Sequence, residues 1–297
     1  MYVLLCPCIR HPDLRAKGIT HAGDLEAFRL AEERCRKFGI DILPLPCPET
    51  IFLGRNREPG TFKDKLDSTP FHQLLEKLER DVRELIEDHG TPLCVVGVDS
   101  SPTCGVDFHY FGNDATGRAV RTPGRGVFLA RFPDVPAIDV KEFARYRIYL
   151  AAPLFSAAER RYNEALREFL KARFYDVYLP QESGEDGSTR NAASQQDMFA
   201  LHVRALDQAD VVVAVVDGAD ADSGTSWEMG YAYSRGKRVV ALRTDFRRTG
   251  LHEHVNLMLE QSSAVVSRME EIPIAIHGSG NSNKSDTPGS VTNHEKR

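Results

Sequence analysis

The chain has 297 residues, 41% of them hydrophobic and 27% charged, with a formal net charge of −5. That balance is one of folded globular protein rather than disorder, and the length suggests two domains of ordinary size. Such an acidic chain lacks the basic face that a general nucleic-acid coater needs, although a few local donors still suit small anionic ligands.

The strongest apolar run, Val211 to Val216, is closed by Asp210 and Asp217 and is far shorter than the roughly 20 residues that span a bilayer. The opening MYVLLCPCIRHP has no basic leader, and its apolar stretch is too short for a signal peptide. The expectation is a cytoplasmic protein without membrane association, its six cysteines reduced, buried or metal-bound rather than disulfide-paired.

In chain order, residues 2–5 read as a short strand ending in Cys-Pro-Cys. Residues 22–38 read as a helix, with Leu25, Phe28, Leu30, Ala31 and Cys35 on one face and Gly39 as its stop. A strand over 40–45 runs into Pro46-Cys47-Pro48-Glu49, and a helix over 70–88 buries Phe71, Leu74, Leu75, Leu78, Val82, Leu85 and Ile86. A third strand, 92–98, opens into Asp99-Ser100 and then SPTCG. This alternation predicts a parallel α/β sheet.

Residues 112–145, rich in Gly, Arg and Pro, contain GRGVFLARF and a helix over 139–145, and read as the end of a first domain and its linker. The pattern restarts at Arg147. IYLAAP is a strand, and Ser156 with Glu159 forms a capping box. The helix that follows carries Tyr162, Ala165, Leu166, Phe169 and Leu170 on one face. Strand 174–180, a polar loop over 183–193, a helix over 194–207 and the apolar strand VVVAVV come next. A helix over 224–235, stopped by Gly236, precedes the strand RVVALR. From His277 the sequence is polar and low in complexity, the pattern of a disordered tail.

Cys8, Cys47 and Cys104 each lie just past the carboxyl end of a predicted strand, beside Pro or Gly. Open α/β sheets place ligands at that edge, so three loops can bring three thiolates together. Soft thiolates suit zinc or an iron–sulfur cluster, and the lack of a local CxxC pair argues against a zinc ribbon. Cys6 competes with Cys8 for the first position, while Cys35 on a helix face and Cys94 inside a strand read as small buried hydrophobes. In order and approximate spacing, Cys8, the PCPE of Pro46 to Glu49, the SPTCG of Ser101 to Gly105 and the GRGVF of Gly124 to Phe128 resemble the thiouracil desulfidase family over residues 1–135. The resemblance implies a 4Fe-4S cluster on Cys8, Cys47 and Cys104 with one iron left open to the sulfur of a thiolated base, and Ser101 or Glu49 assisting proton transfer or activating water. The chain departs from that family in its Cys-Pro-Cys start and in the TIFLG that follows the PCPE.

The second half carries DSGTSWEMGYA from Asp222 to Ala232. Gly224 permits a tight turn into a helix that places Glu228 near its first turn, where amide donors and the dipole favour an ionised carboxylate. Such a carboxylate is a competent nucleophile toward an anomeric carbon, and Asp222 can face the same cleft. With IYLAAPLF (Ile148 to Phe155), YLPQE (Tyr178 to Glu182) and Ala209-Asp210 before the buried strand, this segment resembles the nucleoside 2-deoxyribosyltransferases over residues 147–245.

That second resemblance implies Glu228 as the nucleophile of a covalent deoxyribosyl intermediate and Asp222 as the group that positions the sugar and protonates the leaving base. It further implies Tyr149 and Gln181 in the pocket, Gln181 at the base, with Ser223, Gly224 and Thr225 as substrate-binding residues. His202 stands where many members carry a carboxylate, which opens a hydrolase reading beside the transferase one. The transferases so resembled generally assemble through this domain, which leaves a homo-oligomer open.

The expected architecture is therefore two α/β domains: 1–135, a linker at 136–146, and 147–276 as a Rossmann- or flavodoxin-like parallel sheet flanked by helices, followed by a tail at 277–297. The expected function is cleavage or exchange of the N-glycosidic bond of a small-molecule nucleoside or nucleotide, fused to an iron–sulfur domain that acts on a thiolated nucleobase. The competing reading is a non-catalytic nucleotide-binding or redox-sensing module with a structural cluster. Retention of both Asp222 and Glu228 argues against it.

Overall fold

The structure, a computed structural model, describes residues 1–183, 192–247, 250 and 253–278. The chain divides into two compact units, Met1–Tyr146 and Arg147–Arg297. Both are α/β, with parallel sheets flanked by helices.

The first unit runs β1 (Tyr2–Leu5), α1 (Ala22–Phe38), β2 (Asp41–Pro44), α2 (Pro48–Leu53), α3 (Phe62–Lys65), α4 (Thr69–His89), β3 (Val95–Gly97), β4 (Phe108–Asn113), β5 (Ala119–Pro123), β6 (Ala137–Asp139) and α5 (Val140–Phe143). Its sheet has the order β2-β1-β3-β6, all parallel. β1 is buried at every residue, as a strand covered on both faces must be.

Helix α1 ends at Gly39, whose left-handed φ of 62° satisfies the cap without a Cβ clash. It buries Ala27, Phe28, Leu30, Ala31 and Cys35, but Leu25 is 47% exposed. Asp24, one position back, takes the inward place, bound to Arg15 at 3.2 Å. Along α4, Phe71, Leu75, Leu78 and Val82 are buried, whereas Leu74, Leu85 and Ile86 are half-buried.

The stretch expected to be a linker, 136–146, instead holds β6, which completes the first sheet, and α5, the expected helix in shorter form, which packs on α1. A strand of three residues is too short to show an alternating period, so β6 leaves no mark on the pattern. β5, and the end of its antiparallel partner β4, lie in the Gly- and Arg-rich stretch where no strand was expected. Four of the five β5 residues are exposed, so that strand carries no alternating apolar face. Cys94 sits just before β3 rather than inside it.

The second unit runs β7 (Arg147–Ala151), α6 (Ala157–Lys171), β8 (Asp176–Tyr178), α7 (Ala192–Gln208), β9 (Val211–Val215), α8 (Ser223–Ser234), β10 (Arg238–Leu242), α9 (Leu257–Ser262), β11 (Ala264–Val266) and α10 (Ile272–His277). The parallel sheet has the order β11-β10-β9-β7-β8. The capping box at Ser156 and Glu159 is formed. On α6, Leu166 and Leu170 are buried and Ala165 is exposed; Asn163 takes the inward place instead, binding the Pro153 carbonyl at 2.9 Å.

Asp210 clamps Arg147 through its backbone N–H and guanidinium Nε, both at 3.0 Å, tying the start of β7 to the start of β9. The Ala-Asp motif is thus a strand-pairing device. The expected tail lies outside the described residues from position 279 onward, as does most of the loop expected over 183–193. Among the described residues no helix is long and apolar enough to cross a membrane.

Candidate active sites

In both sheets the chain moves outward from the first strand to one side, then returns to build on the other. The reversal falls between β1 and β3 in the first unit and between β7 and β9 in the second. Doubly wound sheets open a crevice at the carboxyl ends of the strands at such a switch point.

In the first unit that crevice is a cavity of about 410 Å³, lined by Cys6, Cys8, Cys47 and Cys104 together with Glu49 and Ser101. Cys6 directly follows β1, and its N–H donates to the Val96 carbonyl at 3.0 Å. Cys47 precedes α2, with Pro48 at the first helical position. Cys104 lies in the SPTCG loop, whose shape depends on close backbone approach. A Cβ on Gly126 would meet the Thr103 carbonyl carbon at 2.5 Å, and one on Gly97 would meet the Cys104 carbonyl oxygen at 2.6 Å. Val127 and Phe128 N–H donate to the Pro102 and Thr103 carbonyls at 3.0 and 3.1 Å. The GRGVF segment is therefore a brace for the SPTCG loop. Ser100, on the cavity wall, takes a left-handed φ of 72°, a strained conformation for a non-glycine residue.

Glu49, Ser101, Thr103 and Arg57 of this cavity form one paired network. Glu49 Oε1 accepts the hydroxyls of Ser101 and Thr103, each at 2.9 Å, and Oε2 meets Arg57 Nε at 3.3 Å. Ser101 Oγ in turn accepts the Cys104 N–H at 3.0 Å. Cys6, Cys8 and Cys47 resist ionisation. A hydrogen bond with Cys104, then burial, holds Cys6 well above the ordinary thiol range; burial, then Cys104, raises Cys8 and Cys47. Among the described residues no three His, Cys, Asp or Glu side chains stand at the spacing of a single bound metal ion. Cys35 is buried, and Cys94 is pushed up to about 12 by burial; neither lines the cavity.

In the second unit, Tyr149 in β7 is fully buried and donates its hydroxyl to Glu228 Oε1 on α8. Burial and the neighbouring carboxylate push the Tyr149 hydroxyl up, so it remains a donor. Its ring stacks on Tyr178, 5.4 Å between centroids, and Tyr178 Oη lies 3.0 Å from His202 Nδ1.

Glu228 is not in the first turn of its helix. Asp222 is the N-cap and α8 begins at Ser223, so Glu228 lies in the second turn, where backbone N–H groups are already used within the helix. The expected amide stabilisation is replaced by its opposite. Burial, with the Asp222 charge adding to it, raises Glu228 from 4.5 to about 7, and the Tyr149 hydrogen bond offsets part of the rise.

Asp222 Oδ2 accepts the Thr225 N–H at 2.9 Å and its hydroxyl at 3.2 Å. Thr225, 1% exposed, is thus a buried cap partner rather than a ligand-facing residue. Ser223 and Gly224 are exposed at the helix start. Gln181 is held by α6 at both ends of its amide: Nε2 donates to the Arg160 carbonyl at 3.1 Å, and Oε1 accepts from Asn163 at 3.1 Å. Sequence reasoning missed Thr103 and Arg57. The first lies inside the quoted SPTCG; the second carries no local signal, because its partner is met only through tertiary packing.

Residues 148–269 match the family model for nucleoside 2-deoxyribosyltransferase. The chain is 26% identical over 148 residues to an uncharacterised protein of Methanocaldococcus jannaschii, covering 49% of this chain and 80% of the relative. Among solved structures, a conserved protein from Enterococcus faecalis V583 is 34% identical, covers 44% of this chain and 96% of its own, and has a TM-score of 0.38. A 2-deoxyribosyltransferase from Bacillus psychrosaccharolyticus is 22% identical, covering 43% of this chain and 90% of its own, with a TM-score of 0.37.

Proposed function

We propose that the second unit cleaves or exchanges the N-glycosidic bond of a nucleoside or nucleotide, with Glu228 as nucleophile. The observation that carries this reading is the hydrogen-bonded pair of buried Tyr149 and half-buried Glu228 at the sheet's switch point, beside Asp222 and within the matched family segment. Glu228 attacks C1′ as the C1′–N bond breaks and its electrons leave with the base. Asp222, one oxygen committed to the helix cap, keeps the other for the sugar or for the proton that the base takes up. A second base nitrogen or a water then attacks C1′ and gives its proton back to Asp222 as the bond between C1′ and Glu228 breaks. Tyr149 fixes the attacking oxygen's partner and keeps the carboxylate oriented.

The test is mass spectrometry of protein quenched with a slow 2-fluoro-deoxyribonucleoside. A sugar adduct on Glu228 is expected; an adduct elsewhere, or full turnover by Glu228→Gln, would remove the assignment.

For the first unit, we propose a 4Fe-4S cluster held by Cys8, Cys47 and Cys104. Donor chemistry supports this. Several thiols share one cavity, yet burial opposes their ionisation, and a thiolate-binding metal group resolves that conflict. The side chains do not stand at single-ion spacing, but a four-iron cluster takes each thiolate on a different iron. When bound, the cluster would supply a Lewis-acid iron for the sulfur of a thiolated base. Ser101, donating to Glu49 and accepting from Cys104 N–H, is set to pass a proton to that carboxylate. Anaerobic purification followed by iron and sulfide counts tests it; protein holding only zinc, or no metal, would overturn it.

A further inference from the structure

The cavity of the first unit contains one thiol more than the three-cysteine reading uses. Cys6 and Cys8 flank Pro7, and both line the same cavity as Cys47 and Cys104. Cys6 is fully buried, and its backbone is pinned to β3 through the Val96 carbonyl, so its side chain has little freedom to leave. The Cys6 thiol forms a hydrogen bond with Cys104 inside this cavity. A cysteine that served only to fill space would be expected among apolar side chains, as Cys35 is on the buried face of α1 with Ala27, Phe28 and Ala31.

Resting on the cluster reading above, we propose that Cys6 is a fourth thiolate donor, which occupies the iron that Cys8, Cys47 and Cys104 leave open until a substrate sulfur displaces it. The exchange needs no oxidant or reductant. Cys6 gives up its bond to iron and gains a proton as the incoming thiol loses one and forms the new bond. Pro7 and the sheet bond at Cys6 keep the released thiol beside the site, ready to return. The cluster is then shielded from water and oxygen when no substrate is present.

The experiment uses the anaerobically prepared, cluster-loaded full chain, oxidised by ferricyanide and followed by electron paramagnetic resonance. A cluster with an open iron loses that iron as Fe²⁺, with one electron passing to ferricyanide, and leaves a 3Fe-4S signal. The wild type is expected to resist this, whereas Cys6→Ala and Cys6→Val should retain the cluster and develop the signal. Added 2-mercaptoethanol should shift the absorption spectrum of the variants at a lower concentration than that of the wild type, in which it must first displace Cys6. Equal 3Fe-4S yields in wild type and variants would overturn the proposal. So would loss of the cluster from both variants while circular dichroism shows them folded, since Cys6 would then be one of three obligatory ligands. Wild-type protein that never holds a cluster would instead defeat the reading on which the proposal rests.

Discussion

The two units build their sites on the same kind of switch point and handle buried charge in opposite ways. In the first unit, Glu49 is 14% exposed at its side chain but meets Arg57 and two hydroxyls. In the second, Glu228 is half-buried with a tyrosine hydroxyl as partner and Asp222 as a repulsive neighbour. A shared topology therefore locates both sites, while the local partners decide whether a carboxylate is settled or primed. A paired carboxylate suits passing a proton through a fixed network. A raised one, held without a guanidinium, keeps its electrons available for attack on an electrophile once it ionises.

The largest expected effect lies at Glu228. Glu228→Gln should reduce turnover on the order of 10⁴-fold or more, because the lost interaction belongs to the chemical step, and single-turnover kinetics will read this directly. In the first unit, Arg57→Leu should strip Glu49 of its cation and cost about 3–5 kcal/mol of stability, the magnitude of a broken buried ion pair, measured by urea unfolding.

The same measurement on Glu228→Gln should run the other way. Below pH 4.5 the carboxyl is protonated in the folded and unfolded chain alike, and its burial carries no charge penalty. Between 4.5 and about 7 only the unfolded chain ionises, so stability falls as pH rises, and above about 7 the penalty is complete. Glu228→Gln should therefore stabilise the protein by about 1–3 kcal/mol at pH 8 and have little effect near pH 4. A neutral Arg57→Leu, or a Glu228→Gln that destabilises at pH 8, would break the contrast between the units.

Smaller effects sharpen it. The kcat/KM profile should fall about tenfold per pH unit below about pH 7 as Glu228 takes up its proton. Tyr149→Phe should move that midpoint upward, because the hydrogen bond it removes favours the ionised form. Asp222→Asn should move it downward by removing a like charge. Asn is also a good N-cap, so Asp222→Asn should keep the helix, whereas Asp222→Ala should cost about 1 kcal/mol. Thermal melts of the two variants separate cap from charge.

Much of this was legible in the residues. The alternation of strands and helices, the helix over 22–38 and its Gly39 stop, and the capping box at Ser156 follow from local rules, and the structure has all of them. The strand β6 and the hairpin β4–β5 were not legible, because short or exposed strands carry no apolar period. At the sites, the motif residues that meet at each switch point could be read from their position after strands. Their partners could not. Arg57 meets Glu49 eight residues away only because α2 ends and the chain folds back, and Gln181 finds its partners on α6.

By itself, the sequence determined which chemistry is present: cysteines and a glutamate at strand ends in one half, an Asp-to-Glu helix segment in the other. The tertiary structure decided the state of those groups. It put Glu228 one turn deeper than the dipole argument assumed, with burial outweighing any helix-end stabilisation. It also added Cys6 to the cavity of the other three thiols. Burial and partner geometry are properties of the packed chain, and they set ionisation where residue identity alone is silent.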